Sequence, residues 1–280
     1  MKTKLIVSAG AVLLSGILCA QIAVKNNDKI AFLGDSITAN GNMFPGGYVN
    51  LVISGLEANG IKAVKIPAGI HGHMCTHMLA RMDRDVLAKK PQIMLLNCGV
   101  NDVWKGPRGV PLDQYRKNMA EIIDKAQAQG VKVCLMTATV IGEDPKAERN
   151  IAMIPYNKCL FELAKEKNCL IADTNAAVQQ GIAEYRAKFP NRKQNFLTVD
   201  GVHMNSIGNV YMARAVLRAL GLNDTQIAKA EAAWRDARSQ IGTVLLTKGA
   251  VDAIIARAAA KNMTIAEYVQ SVIVKDISGK

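Results

Sequence analysis

The segment IAFLGDSITANG, residues 30–41, ends a run of apolar residues with Gly34, Asp35 and Ser36. Glycine, aspartate and serine all favour turns, so this segment is compatible with the plain end of a strand. A second interpretation is chemical. A serine hydroxyl becomes a nucleophile when a neighbouring imidazole removes its proton, and a buried strand could deliver Ser36 to such a reaction centre. The segment alone does not decide between the two.

Three further polar segments lie where a predicted strand ends or a predicted helix begins. They are Gly69 to Gly72 in AGIHG, Gly99 to Asp102 in GVND, and TVDGVHMNSIGN, which carries Asp200 and His203 just before a helix. Each piece is common when taken alone. Their joint order is informative, because ligands of an open parallel sheet bind beyond the carboxyl ends of its strands.

The apolar segments alternate with longer amphipathic ones. Five strands are predicted in KIAFLGD, KAVKIPAG, QIMLLNCG, VKVCLMTAT and CLIADT, each short and nearly continuously apolar. Such strands are covered on both faces, as in a parallel sheet. Helices are predicted over residues 47–58, 75–89, 112–129, 149–167, 174–188 and 206–220. This order predicts an α/β fold, a three-layer α/β/α sandwich around a five-stranded parallel sheet.

Four blocks, in family order, resemble those of the SGNH (GDSL) hydrolases. GDSIT matches the first block, AGIHG the glycine block, GVND the asparagine block and DGVH the closing block. The resemblance covers roughly residues 29–221, nearly the whole α/β region. It implies the flavodoxin-like SGNH hydrolase fold, with a hydrolase domain over residues 22–222. It also implies a serine hydrolase that cleaves carboxylic esters through an acyl-enzyme.

The resemblance also assigns roles to individual residues. It implies Ser36 as the nucleophile, His203 as its general base and Asp200 as the carboxylate that orients the histidine. It implies an oxyanion hole made of the backbone N–H groups of Ser36 and Gly72 and the side-chain amide of Asn101. Such donors stabilise the negative charge of a tetrahedral intermediate. No metal and no organic cofactor are implied.

The segment HGHMCTH, residues 71–77, holds three of the four histidines of the chain and one cysteine. Histidine and cysteine at alternating spacing can bind zinc, and a cysteine near a histidine can also act as a nucleophile. The segment runs from a strand end into a predicted helix, however, so its side chains would point in different directions. The favoured prediction is that it lines the rim of the active site, with substrate contact by His71 or His73.

The substrate is predicted from the loops around the expected site. About ten residues separate Asn101 from the next predicted helix, without an inserted apolar lid, which favours an open groove. Trp104 on the same loop could stack on a sugar ring or anchor the loop in the core. These features predict removal of short acyl groups, acetyl foremost, from small-molecule or polysaccharide esters. The alternatives are a lipolytic hydrolase of the lysophospholipase or thioesterase kind and a non-catalytic glycan-binding protein.

The first twenty residues have the pattern of a secretory signal peptide. Lys2 and Lys4 precede the apolar run LIVSAGAVLLSGILCA, which is short for a membrane span, and polar sequence begins at Gln21. We expect a secreted or periplasmic protein without stable membrane insertion after cleavage. The net charge of +12 comes from scattered lysines and arginines, so no nucleic-acid partner is expected.

Residues 223–280 change in composition and are predicted to form a mainly helical extension. An apolar helical stripe comes first, VLLT then reads as a short strand, and Thr264 with Glu267 forms a capping box that opens the last helix. A strand followed by two helices is loosely similar to a ribbon–helix–helix module. Packing onto the hydrolase domain or formation of a homodimer is the preferred prediction.

Overall fold

The computed structural model describes residues 22–191, 194–235 and 248–279. The chain divides into two compact units, Met1–Gln240 and Ile241–Lys280, and each is described by itself. The predicted signal peptide and the VLLT segment lie outside the described residues. In the described part of the chain, no helix is long and apolar enough to cross a membrane.

A five-stranded parallel sheet forms the centre of the first unit. Its strands are β1 (Lys29–Gly34), β2 (Val64–Gly69), β3 (Ile93–Asn97), β4 (Lys132–Met136) and β5 (Leu170–Ala172). Their spatial order is β2-β1-β3-β4-β5, so the five predicted strands and their parallel arrangement are confirmed. The strand order reverses between β1 and β3, and open α/β sheets bind their ligands at such a reversal.

Alternate residues along a strand pack into two separate hydrophobic cores, one on each face of the sheet. Ile30 and Phe32 of β1 belong to one core, whereas Ala31 and Leu33 belong to the other. All four side chains are fully buried, because helices cover both faces of the sheet. The predicted three-layer sandwich is therefore confirmed.

Nine helices are described in the first unit. They are α1 (Ser36–Met43), α2 (Tyr48–Ala58), α3 (Cys75–Asp85), α4 (Val100–Trp104), α5 (Leu112–Gln127), α6 (Glu148–Glu166), α7 (Thr174–Lys188), α8 (Ser206–Ala219) and α9 (Asp224–Trp234). The six helices predicted between residues 47 and 220 are all present, and the end of the segment 75–89 is a separate 3-10 turn over Leu87–Lys89. The short helices α1 and α4 were not predicted, because neither has an apolar stripe of helical period.

Helix α9 packs into the core of the α/β unit. Ile227, Ala230 and Trp234 are buried in the same core as β1, and the indole N–H of Trp234 donates to the Leu51 carbonyl of α2 at 3.0 Å. The predicted domain boundary after residue 222 leaves α9 outside the hydrolase domain, although the core of that domain buries the apolar face of α9. The α/β unit of the structure thus extends at least to Trp234.

The described part of the second unit consists of α10 (Lys248–Ala260) and α11 (Ile265–Ser278). The predicted capping box opens α11, since the Thr264 hydroxyl accepts from the Glu267 N–H at 3.2 Å and the Glu267 carboxylate accepts from the Thr264 N–H at 2.8 Å. Ala258 and Tyr268 are buried. The mainly helical character of the extension is confirmed, and its role in a homodimer stays a prediction.

Candidate active site

The carboxyl end of β1 leads directly into α1 and presents Ser36 as the first residue of that helix. Asp35 is the N-cap, and its carboxylate accepts from the backbone N–H of Ile37 at 2.8 Å. The turn is so tight that a Cβ on Gly34 would lie 2.0 Å from the hydroxyl oxygen of Thr38. Only glycine fits there, and the Ser36 hydroxyl is thereby placed at the end of a central strand.

Ser36, His203 and Asp200 are joined by a continuous chain of hydrogen bonds. The Nε2 atom of His203 lies 2.8 Å from the Ser36 Oγ, and its Nδ1 atom lies 2.6 Å from the Asp200 Oδ2. With a proton on Nδ1, the imidazole donates to the carboxylate and offers the Nε2 lone pair to the hydroxyl. The structure thus brings these three predicted residues together.

The carboxylate of Asp200 is also held by its own loop. Its Oδ1 atom accepts from the backbone N–H groups of Val202 at 3.0 Å and His203 at 2.8 Å. Partial burial acts to raise the pKa of Asp200, but the hydrogen bonds from the His203 ring and from these backbone groups outweigh it and lower the pKa. These hydrogen bonds therefore stabilise the ionised form of Asp200.

The predicted oxyanion donors lie on three segments, which follow β1, β2 and β3. Gly72 has φ +73°, a left-handed conformation that favours glycine, and no atom lies within 4 Å of where its Cβ would be. Within the described residues, the backbone N–H groups of Ser36 and Gly72 have no hydrogen-bond acceptor. The Asn101 amide donates to the His73 carbonyl at 3.1 Å and to the Asp35 carboxylate at 3.3 Å. Asn101 thereby ties the β1 loop to the β2 loop.

Two buried carboxyl groups support these loops. Burial raises the pKa of Asp35 to about 7, against the opposing effect of the Ile37 N–H. Asp102 accepts from the Cys75 N–H at 3.0 Å and from the Cys98 thiol at 3.4 Å. Asp102 therefore joins the start of α3 to the end of β3, directly beside Asn101.

A sequence model of the GDSL-like lipase/acylhydrolase family matches residues 32–211. The chain belongs to this family. The acetylxylan esterase of Geobacillus stearothermophilus is 29% identical over 219 residues, which cover 71% of this GDSL hydrolase and 96% of that protein. The esterase TesA of Pseudomonas aeruginosa is 32% identical over 129 residues, covering 45% of this chain and 63% of that one.

A solved structure extends this similarity to the fold. The crystal structure of an acetyl xylan esterase named AlAXEase is 33% identical and superposes with a TM-score of 0.62, covering 68% of this chain and 98% of that chain. The family match and the relatives together show that this GDSL hydrolase is an enzyme that cleaves carboxylic ester bonds, as the four sequence blocks implied.

The histidine segment does not gather its side chains around one point. His71 is exposed, Cys75 is fully buried and His77 caps its own helix by accepting from the Met74 N–H at 3.2 Å. Across the described part of the chain, no three histidine, cysteine or acidic side chains are arranged to hold a metal ion. His71 contacts no other predicted site residue through a hydrogen bond or ring contact.

His73 is held by a residue that the sequence analysis did not single out. The buried guanidinium of Arg81 donates to the His73 Nδ1 at 3.1 Å and to the Gly34 carbonyl at 2.9 Å. Burial lowers the pKa of His73, and the positive charge of Arg81 lowers it further. Arg81 thus connects the loop of Ser36 to the loop of Gly72.

Glu143 is a second residue that the sequence analysis missed. Its side chain is only 7% exposed. Both carboxylate oxygens accept hydrogen bonds of 2.6–2.8 Å from four donors, the backbone N–H groups of Phe196, Leu197 and Thr198 and the Thr198 hydroxyl. These residues begin the loop that carries Asp200 and His203. The one signal in the sequence is that Glu143 follows β4 at the edge of the sheet where the other site residues lie.

Glu143→Gln is expected to weaken this loop. The amide NH2 must face at least one buried backbone N–H, and an unsatisfied buried donor costs about 1–3 kcal/mol of the free energy of unfolding. Because His203 shifts with the loop, kcat for a soluble chromogenic acetate should fall about tenfold or more while KM changes little. The control is Glu162→Gln, on an exposed ion pair with Arg116. Equal kcat values for the two variants would contradict a positioning role for Glu143.

Trp104 lies 41% exposed on the same short segment as Asn101. Both residues line an open cleft of about 880 Å³, together with His77. The guanidinium of Arg149 lies over the indole, 4.3 Å from the ring centroid. Trp104 is therefore not buried in the core, and one face of its ring is covered by a cation.

Proposed function

We propose that this GDSL hydrolase removes short acyl groups, acetyl foremost, from carbohydrate, with Ser36, His203 and Asp200 as a catalytic triad. The observation that carries the proposal is the hydrogen-bond chain in which the Asp200 carboxylate meets the His203 Nδ1 at 2.6 Å and the His203 Nε2 meets the Ser36 Oγ at 2.8 Å. These distances suit proton transfer without a change in the loops.

Each half-reaction begins with a proton transfer to His203. The Nε2 atom takes the Ser36 proton as the Oγ attacks the ester carbonyl, and the tetrahedral intermediate then expels the sugar hydroxyl, which receives this proton from Nε2. The acyl group is left on Ser36. Water, deprotonated by the same nitrogen, attacks the acyl-enzyme and releases the carboxylic acid and the free serine.

The negative oxygen of each tetrahedral intermediate needs preorganised donors. The backbone N–H groups of Ser36 and Gly72 suit this role because neither has an acceptor within the described residues. The Asn101 amide supplies a third donor when it exchanges its long 3.3 Å bond to Asp35 for one to the substrate. Loss of one such donor typically lowers turnover by about 10²–10³.

Two observations support a carbohydrate ester over a long acyl chain. The cleft beside Asn101 is open and carries an exposed tryptophan, a shape that suits a sugar better than an extended apolar chain. The relatives at 29% and 33% identity are acetylxylan esterases, and each is covered almost in full. The signal-like pattern of residues 1–20 supports action outside the cytoplasm, on an extracellular or periplasmic glycan.

An acyl-length series tests the substrate. We expect kcat/KM on p-nitrophenyl esters to be highest for acetate and to fall through butyrate and octanoate, because the cleft is open and its lining carries charged side chains that suit a long apolar chain poorly. Acetylated xylan should release acetate under the same conditions, with heat-inactivated enzyme as the blank. Preference for octanoate or longer esters, with no acetate released from the glycan, would instead indicate the lysophospholipase or thioesterase alternative.

A further inference from the structure

The cleft beside Asn101 carries an excess of positive charge. Its lining includes three positively charged side chains, those of Lys105, Arg108 and Arg149, and one negatively charged side chain, that of Glu148. Across the described residues, none of the three cations forms an ion pair with a carboxylate. By contrast, Arg81, Arg84, Arg116, Arg214 and Arg218 are all paired with acidic side chains. The cleft therefore gathers cations that the protein itself does not neutralise.

Two of these cations are held in place by contacts of their own. The Lys105 ammonium donates to the Gly72 carbonyl at 2.9 Å, so its charge lies next to the proposed oxyanion loop. The Arg149 guanidinium lies over Trp104 at 4.3 Å, and a guanidinium stacked on an indole keeps its N–H edge free for an acceptor. The planar fork of that edge matches the two oxygens of a carboxylate.

We propose that this cleft binds the carboxylate of a uronate residue, next to the acylated sugar that reaches Ser36. This inference rests on the proposed function, and it narrows the substrate class to acidic glycans. Arg149 covers one face of Trp104, so the cleft offers a neutral sugar only part of a stacking surface, whereas it offers an anionic sugar two arginines and a lysine. The net charge acts in the same direction, because it attracts acidic polymers at long range; it is +12 for the full sequence, and removal of Lys2 and Lys4 with the predicted signal peptide lowers it by 2, to +10.

Competitive inhibition tests the cleft without requiring any glycan to be cleaved. Trigalacturonate, which carries no acetyl group, should inhibit cleavage of p-nitrophenyl acetate, and uncharged xylotriose should inhibit it far less. The inhibition by trigalacturonate should weaken as the salt concentration rises, because Arg108 and Arg149 are exposed to solvent. Equal inhibition by the two trisaccharides, or none by trigalacturonate, would overturn the uronate assignment.

Matched charge variants locate the binding site. In the double variant Arg108→Gln/Arg149→Gln, the inhibition constant of trigalacturonate should rise about tenfold or more, since the charge-assisted hydrogen bonds from both guanidinium groups are lost. The constant is measured against the variant's own uninhibited rate. The control Lys62→Gln/Lys132→Gln removes the same charge at the amino ends of β2 and β4 and should leave the constant unchanged. An equal rise in both variants would show that only net charge attracts the ligand and would overturn the site.

Glycan turnover separates the two proposals. With wild-type enzyme, acetate release from an acetylated galacturonan should exceed release from acetylated xylan in kcat/KM, mainly through a lower KM. Equal values on both would overturn the uronate subsite and leave the proposed function standing. If the enzyme cleaves p-nitrophenyl acetate but releases acetate from neither glycan, the proposed carbohydrate function is overturned. The inhibition experiment then still decides whether the cleft binds a uronate.

Discussion

Ser36→Ala is expected to lower kcat for p-nitrophenyl acetate by about 10⁴ or more, to the level left by substrate binding and the oxyanion donors. The reason is chemical. The hydroxyl that lies 2.8 Å from the His203 Nε2 is the nucleophile of the proposed mechanism, and alanine leaves no atom that could carry the acyl group. The rate is measured with purified protein over a range of substrate concentrations.

A fluorophosphonate probe gives a second readout that does not depend on the ester chosen. It should label wild-type enzyme at one residue, identified by mass spectrometry as Ser36, and it should not label Ser36→Ala. Ser54→Ala serves as control, because the Ser54 hydroxyl only donates to the Leu51 carbonyl of its own helix at 3.2 Å. Labelling of Ser36→Ala by the probe, or a kcat for this variant within tenfold of wild type, would contradict the serine mechanism.

The fold follows from local pattern, which is why it could be predicted. β1 and β3 are nearly continuously apolar because both of their faces are buried, and such segments are recognisable without knowledge of their partners. The polar blocks then fall at the carboxyl ends of these strands. Since parallel strands place those ends at one edge, Ser36 and Asn101 were expected to approach each other, although 65 residues separate them in sequence.

The supporting residues could not be found in this way, because their partners are distant in sequence and carry no pattern. The Glu143 carboxylate accepts hydrogen bonds from the backbone N–H groups of residues 196–198. Any residue except proline can supply such a group, so the residue types do not reveal it. Arg81 lies on α3 like any helical arginine, yet it donates to the Gly34 carbonyl 47 residues away. The stacking of Arg149 on Trp104 likewise depends on how α6 packs beside α4.

The predicted boundary at residue 222 illustrates the same limit. The stripe of Ile227, Ala230 and Trp234 correctly indicates a helix, but a stripe does not say which surface covers it. In the structure α9 packs against α2, and the Trp234 indole donates to the Leu51 carbonyl 183 residues earlier. A change of composition along the chain therefore does not mark the end of the fold here.

Asp200→Asn is expected to lower kcat by about 10³–10⁴ while KM for a small ester changes little. The asparagine Oδ1 can still accept from the backbone N–H groups of Val202 and His203, which now donate to Asp200 at 3.0 and 2.8 Å, so the loop keeps its conformation. The amide NH2, however, replaces the oxygen that accepts from the His203 Nδ1 at 2.6 Å. It donates to Nδ1 and moves the imidazole proton to Nε2, which then has no lone pair for the Ser36 hydroxyl.

The pH dependence gives an independent check of this role. The pKa of Asp200 is lowered below its usual value of 3.8, because the hydrogen bonds from His203 and from the backbone outweigh partial burial. A lowered pKa keeps the carboxylate ionised as the pH falls through 3.8, so protonation of Asp200 should reduce the wild-type activity only below the usual carboxylate range. Asp113→Asn, which removes an exposed carboxylate in the first turn of α5, should keep the wild-type rate and pH profile. A kcat for Asp200→Asn within tenfold of wild type would show that Asp200 does not orient the general base.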